Sequence, residues 1–334
     1  MRRAWLAALL LTILPLVAEA APVEQLKLLS EHPVDGMVGG NLSGLALCGD
    51  RLWTESDRDD GLIYRLDTGA TVWKAENVYI NVPPPPADTG LPLWLRAIAH
   101  VTALIRGGIL DFEGITCDGQ GNRYLVSEGF AAVLKVPVDG KPNWLKIDPA
   151  IIREAYAKGM LRNFNAIFEG LAINAAGDHL WLAAERQNRG LLSVYKQPGD
   201  TWSCQGACIL LNEGGTEMQP AQLPGAKAVA RDFSDVALYK GKLYTLERNI
   251  YQICRRDAQT GTVERCWSFA DEALIPSRQY AKSSQNYGLT EALVIDDTGA
   301  WVGTDNNDGA RNDGEVRPIV WRFAAPHGGW DVAP

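Results

Sequence analysis

Histidine is scarce in this sequence. The four present, His32, His100, His179 and His327, are scattered. They lack the spacing of zinc ligands, which argues against a histidine-built zinc site. No Gly-x-Ser-x-Gly elbow occurs, and only the turn residue His179 sits near a recurring acid. The nucleophile-and-base signals of a serine hydrolase are therefore missing. Positive charge is also in deficit, with a formal net charge of −8. A chain this acidic is a poor nucleic-acid binder, because phosphate contacts need a basic surface. Clustered carboxylates would suit cations instead. After the first residues, no apolar run is long enough to span a membrane.

What is present begins with a secretory signal. Arg2 and Arg3 precede the apolar stretch Leu6 to Val17, and Ala18-Glu19-Ala20 is a small-x-small cleavage site. The stretch is short for a membrane span and Pro15 interrupts it. The expected organisation is a signal peptide over 1–20 and a single domain over 21–334, exported to the periplasm or secreted. Loss of Arg2, Arg3 and Glu19 takes the formal charge from −8 to about −9. All six cysteines lie beyond the signal, where disulfides are permitted. Cys204 and Cys208 suit a local clip. Cys254 and Cys266 flank a turn-like Asp257-Ala258-Gln259-Thr260-Gly261 and so face each other across a hairpin, which leaves Cys48 for Cys117. Other connectivities remain open from sequence.

Internal repetition sets the fold. Phe168-Glu169-Gly170-Leu171-Ala172-Ile173, a turn at Ala175 to Asp178, and Trp181-Leu182-Ala183-Ala184-Glu185 form one unit. Asp111 to Thr116 with Tyr124 to Glu128, and Leu289 to Val294 with Trp301 to Asp305, repeat it. Weaker copies start at Leu42 and Phe233. Each is an apolar strand, a Gly/Asp/Asn turn and a second strand ending in an acid, the pattern of a hairpin. The fold class expected is all-β, a β-propeller with five visible blades. The stretch from Gln187 to Ala230 leaves room for a sixth. Val23 to Leu29 is expected beside Pro318 to Phe323, closing the ring.

Two insertions read as helices. Asp148 caps Pro149, leading into Ile151 to Met160. Trp94, Leu95, Ile98, Val101, Leu104 and Ile105 form an apolar stripe at helical spacing after the run Pro83 to Pro86. Both are expected to pack on the propeller rim or face, with a lid, partner or membrane-surface contact as the alternative for the second.

The inner strand of each blade lines the channel, so equivalent residues form rings. The first is Ser43, Glu113, Glu169, Ser234 and Glu291; the second is Asp57, Glu128, Glu185, Glu247 and Asp305. Hairpin geometry brings both to one mouth. Such an acid cluster either takes up protons or holds a cation, and all-oxygen donors favour Ca²⁺. Glu113, Glu169, Glu291, Glu128, Glu247 and Asp305 are the candidate ligands, supported by the oxygen-rich run Asp305-Asn306-Asn307-Asp308-Gly309. Arginine follows the acid in Asp57-Arg58, Glu185-Arg186 and Glu247-Arg248. These arginines suit either an anionic substrate or Arg–carboxylate ties between blades. Glu169, Glu185, Arg186 and Arg248 are the candidate catalytic residues.

At these motifs the chain resembles the phytase-like β-propeller family, described as having esterase-like activity. The similarity rests on Phe168-Glu169-Gly170-Leu171-Ala172 with Glu185, Ser234-Asp235, Leu246-Glu247-Arg248, and Glu291-Ala292-Leu293 with Thr304-Asp305-Asn306. The resemblance implies an exported propeller and suggests Ca²⁺ and phosphoester or ester hydrolysis. The chain is expected to be a monomer that acts on a small anionic molecule. Two other functions stand beside it: a non-catalytic calcium-stabilised scaffold, and a lactonase-like sugar-acid hydrolase.

Overall fold

The computed structural model describes residues 23–280, 289–306 and 309–332. The expected signal peptide lies outside them, as do Asn307 and Asp308 of the oxygen-rich run. Five four-stranded antiparallel blades account for most of the chain. Blade I comprises Gly44–Cys48, Arg51–Glu55, Leu62–Asp67 and Trp73–Tyr79; blade II comprises Phe112–Cys117, Arg123–Ser127, Ala132–Val136 and Asn143–Trp144. Blade III has Phe168–Ile173, His179–Ala184, Arg189–Lys196 and Thr201–Ser203; blade IV has Asp235–Tyr239, Lys242–Glu247, Gln252–Asp257 and Val263–Ser268. Blade V has Thr290–Asp296, Gly299–Thr304, Ile319–Ala324 and, from the chain's beginning, Leu28–Asp35.

The ring is closed. Each blade's first strand touches the first strand of the next, in the order I–II–III–IV–V–I. Five apolar clusters fill the five interfaces, for example Ala46, Ile115 and Leu125 between I and II, and Ala172, Trp181 and Val236 between III and IV. The inner strands approach closely because small residues face one another. A Cβ on Gly44 would lie 2.9 Å from the Gly114 Cα, and one on Gly170 would lie 2.6 Å from the Asp235 Cα.

The closure differs in register from the sequence expectation. Ile319–Ala324 does pair with the N-terminal segment, but with Leu28–Asp35, while Glu24–Gln25 adds a short parallel edge to blade IV. The stretch between Gln187 and Ala230 forms no sixth blade among the described residues. Ile209–Glu213 is an extra edge on blade III, and Thr216–Met218 pairs with Ala228–Ala230 as an isolated hairpin.

All three expected disulfides are formed. Cys254 and Cys266 are direct cross-strand partners, Cys204–Cys208 clips a loop, and Cys48–Cys117 joins the inner strands of blades I and II. Both helices are present. Asp148 accepts a hydrogen bond of 2.9 Å from the Ala150 N–H at the start of helix Pro149–Ala157, as its capping role requires. The helix Leu93–Arg106 buries Leu95 and Ala103, but turns most of its apolar stripe to solvent.

Candidate functional site

Three of the five inner strands start with one extra residue. Pairing steps from Phe112 to Gly114, from Phe168 to Gly170, and from Thr290 to Ala292. The bulged residues are Glu113, Glu169 and Glu291. A bulge re-aims its side chain, and all three line a cavity of about 500 Å³ at the channel mouth. Blades I and IV pair without a shift and carry serines at the equivalent position, Ser43, which lines the cavity, and Ser234, which does not.

The second ring follows from cross-strand pairing. Gly44, Gly114, Gly170, Asp235 and Ala292 face Glu55, Val126, Ala183, Leu246 and Gly303. Two residues further on, the chain reads Asp57, Glu128, Glu185, Arg248 and Asp305. The sequence reading placed Glu247 in this ring, and the structure corrects it by one residue. Because side chains alternate along a strand, that single step puts Glu247 on the other face. It bonds to Arg256 at 2.6 Å and to Arg189, and does not line the cavity. Arg189 also holds Glu213 at 2.9 Å, and both arginines lie over the Phe233 ring. Glu247 thus belongs to a buttress between blades III and IV.

Arg248 takes the vacated position and dominates the mouth. Its guanidinium is buried and reaches Asp232 at 3.1 Å, Glu169 at 3.4 Å, Glu291 and Glu185. Acids from three blade segments therefore share one cation. Arg186 binds Glu185 from outside and donates to the Asn165 carbonyl at 2.7 Å. Glu128 accepts from the Ile167 N–H at 2.8 Å, tying blade II to blade III. Of the other residues expected here, Glu113, Glu128, Glu291 and Asp305 line the cavity. The hairpin Thr216–Ala230 overhangs it, contributing Lys227, Val229 and Ala230.

The carboxylates form two groups. In one, oxygens of Glu128, Glu169 and Glu185 lie within 4.8 Å of one another, beside the arginines. In the other, Asp57, Asp111 and Glu113 converge within the same distance, and none of the three is among the acids that Arg248 grips. Burial pushes Glu113 well above the usual carboxylate range, and Glu169, Asp111, Asp57 and Glu128 push the same way. Burial likewise raises Glu169, Asp232 and Glu291, with Arg248 opposing. Burial also works against the Arg248 charge, but Asp232, Glu291 and Glu169 outweigh it and keep it protonated. Glu55, at the end of the second strand of blade I, is fully buried, and among the described residues neither of its oxygens is hydrogen-bonded. Burial and then Asp57 raise it strongly. An all-oxygen, partly dry donor set of this kind fits a hard divalent cation such as Ca²⁺.

Asp111 and Asp232 were not singled out from sequence. Both stand two residues before the first-ring position, in Asp111-Phe112-Glu113 and Asp232-Phe233-Ser234. That repeated Asp-Phe was the available signal. Asp111 holds a positive φ of 53°, a conformation Asp tolerates better than most residues.

No curated protein matches it. Among solved structures it is similar to glutaminyl cyclase of Myxococcus xanthus, at 11% identity over 90% of this chain and 97% of the other, with a TM-score of 0.49. It is also similar to the PQQ-bound aldose sugar dehydrogenase of Streptomyces coelicolor, at 13% identity over 90% and 98%, TM-score 0.41. Residues 38–249, more than half of the sequence, match the family described as phytase-like, esterase-like activity of phytase. The chain, a five-bladed propeller with an acid-lined mouth, belongs to that phytase-like family.

Proposed function

We propose that the mouth cavity binds a small anionic phosphoester or ester, together with Ca²⁺, and hydrolyses it. The observation that carries this reading is the division of the mouth. Arg248 and Arg186 line a cavity of about 500 Å³ with the acids they hold, and Asp57 and Glu113, which also line it, converge separately with Asp111. Asp57, Asp111 and Glu113 would hold the ion. Bound there, calcium would supply charge neutralisation and a more acidic water. The arginines orient the anionic group of the substrate by charge-assisted hydrogen bonds. In this reading Glu169 takes the proton of the attacking water as the ester bond breaks, and returns it to the leaving oxygen. Its upward-shifted carboxyl suits proton exchange nearer neutrality than an exposed glutamate would. Glu185 fixes Arg186 and Arg248 in position.

Four acids around Arg248 favour a second reading, in which the mouth is a structural hub of a calcium-stabilised scaffold. A panel of phosphomonoester, carboxylic ester and lactone substrates, run with calcium and with chelator, separates the two. Turnover that needs calcium and is lost in Glu169→Gln supports the hydrolase. Turnover of no substrate, with or without calcium, leaves the scaffold.

Three disulfides fit an oxidising compartment, and among the described residues no helix is long and apolar enough to cross a membrane. With the signal-like residues 1–20, these features support export to the periplasm or beyond.

A further inference from the structure

The hairpin that overhangs the mouth, Thr216–Met218 with Ala228–Ala230, joins none of the blades. Two strands alone are marginal in water, so its position depends on what it rests on. Its tip is pinned: Leu223 is buried against Tyr251 and Leu274, and the Gln222 amide donates to Asp271 at 2.6 Å. Its root is pinned too. The Arg231 N–H donates to the Gly215 carbonyl at 3.2 Å, and the Asn249 amide to the Ala230 carbonyl at 3.1 Å. Between them, Glu217 and Val229 face each other across the hairpin and share one face. Val229 lines the cavity, while Met218, on the other face, is 63% exposed. Glu217 therefore points down toward the propeller, and its strand lies against the turn Arg248–Ile250.

Charged groups surround Glu217 from every element beneath the hairpin, and each arginine among them is already committed. Arg189 of blade III holds Glu213 at 2.9 Å and Glu247, and Arg231 holds Glu213 from the other side. In blade IV, Arg256 holds Glu247 at 2.6 Å, and in the turn Arg248 holds Asp232 at 3.1 Å. Glu217 is half-buried, and its Oε1 is fully covered with no hydrogen-bond partner among the described residues. A carboxylate so placed gives up water without gaining a partner, which the neutral acid does at much lower cost. Burial accordingly pushes Glu217 up to about 7. Arg189 and Arg256 oppose the rise, and Glu247 and Asp232 add to it.

We propose that this hairpin is a pH-operated strap across the mouth, seated while the Glu217 carboxyl is neutral and lifted at its middle when Glu217 ionises. Lifting carries Val229 and Lys227 away from the cavity they line and widens its entrance, while tip and root stay fastened. A lifted Glu217 regains water and an ordinary carboxyl value. Its seating contribution is therefore complete below about 4.5 and is lost as pH rises through about 7. The strap lies down in acid and is released at neutral pH and above. This regulation rests on the functional reading only for the mouth it controls, and it needs neither calcium nor turnover.

Hydrogen–deuterium exchange of the full mature chain, read by mass spectrometry from about pH 4.5 to about pH 8 and corrected for the intrinsic rate, tests it. Protection of the hairpin peptides is expected to fall about tenfold up to about pH 7 and then level off. Blade IV peptides from Gln252–Asp257 should keep theirs and report that the propeller stays folded. Glu217→Gln keeps the shape and stays neutral, so its hairpin should hold the wild-type acid protection at every pH. A chain that turns over no substrate but shows this pattern keeps the strap and loses only the hydrolase. Wild-type hairpin protection that is flat with pH, an equal fall in Glu217→Gln, or a fall shared by blade IV would each overturn the strap.

Discussion

Arg248 is the most heavily committed side chain of the mouth, and its removal gives the sharpest structural test. In Arg248→Met the packing volume is largely kept, but Asp232, Glu169, Glu291 and Glu185 lose their shared cation. Removing one partner of a buried ion pair costs about 3–5 kcal/mol. For a domain of this size about 2 °C of melting temperature accompanies each kcal/mol, so the melt should fall by about 6–10 °C at neutral pH. The loss must depend on pH. Burial already raises Glu169, Asp232 and Glu291, with Arg248 holding them back. Without it they rise further and take up protons in the folded state. A carboxyl raised above its unfolded value contributes stability that is lost as pH rises through its folded value. The gap between variant and wild type should therefore widen from acid toward pH 8. Calcium should also stabilise the variant more than the wild type, since a divalent ion can replace the guanidinium among four acids. Thermal melts across pH, with calcium and with chelator, read all three effects. A variant that melts within about 2 °C of the wild type at every pH would refute the hub.

Gly170→Ala places a methyl 2.6 Å from the Asp235 Cα, at a crossing of inner strands that cannot separate without opening the ring. A loss of about 1–3 kcal/mol is expected in urea melts, and an unchanged midpoint would contradict the close approach. Glu217 is pushed up to about 7, chiefly by burial, with Arg189 opposing. Its contribution is present below its unfolded pKa near 4.5 and is lost as pH rises through about 7. Glu217→Gln removes that dependence. At 1.36 kcal/mol per unit, and roughly halved for solvent screening, the variant should gain about 1–2 kcal/mol over the wild type at pH 8 and nothing at pH 4. Parallel urea curves at the two pH values would show otherwise.

Repetition made the architecture legible. The five copies named the five blades, and Cys254 and Cys266 could be paired because a hairpin of that length places them opposite. Register was harder. Glu185-Arg186 and Glu247-Arg248 look alike in sequence, yet Glu185 stands two residues past the partner of Gly170 and Glu247 only one past the partner of Asp235, which sends Glu247 between blades and Arg248 to the axis. The shared Glu-Arg pair hides that step. The bulges are equally silent, although they are why Glu113, Glu169 and Glu291 reach one cavity. Asp111 and Asp232 were visible as a repeated Asp-Phe, but they precede the strands, where the hairpin pattern gave no reason to look. The helical stripe was legible as a helix and misleading as to its face. Its spacing suits packing, and only the fold reveals that Leu95 turns inward while Trp94 and Leu104 do not.

Calorimetric titration of chelator-stripped protein with Ca²⁺ tests the mouth site most directly. Saturable heat is expected, with a melting temperature that rises with calcium because the ion binds the folded state. Asp57→Asn/Glu113→Gln should remove both effects while leaving the propeller folded. Heat and melting shift that survive in this double variant, or that are absent from the wild type, would contradict a calcium site at Asp57, Asp111 and Glu113.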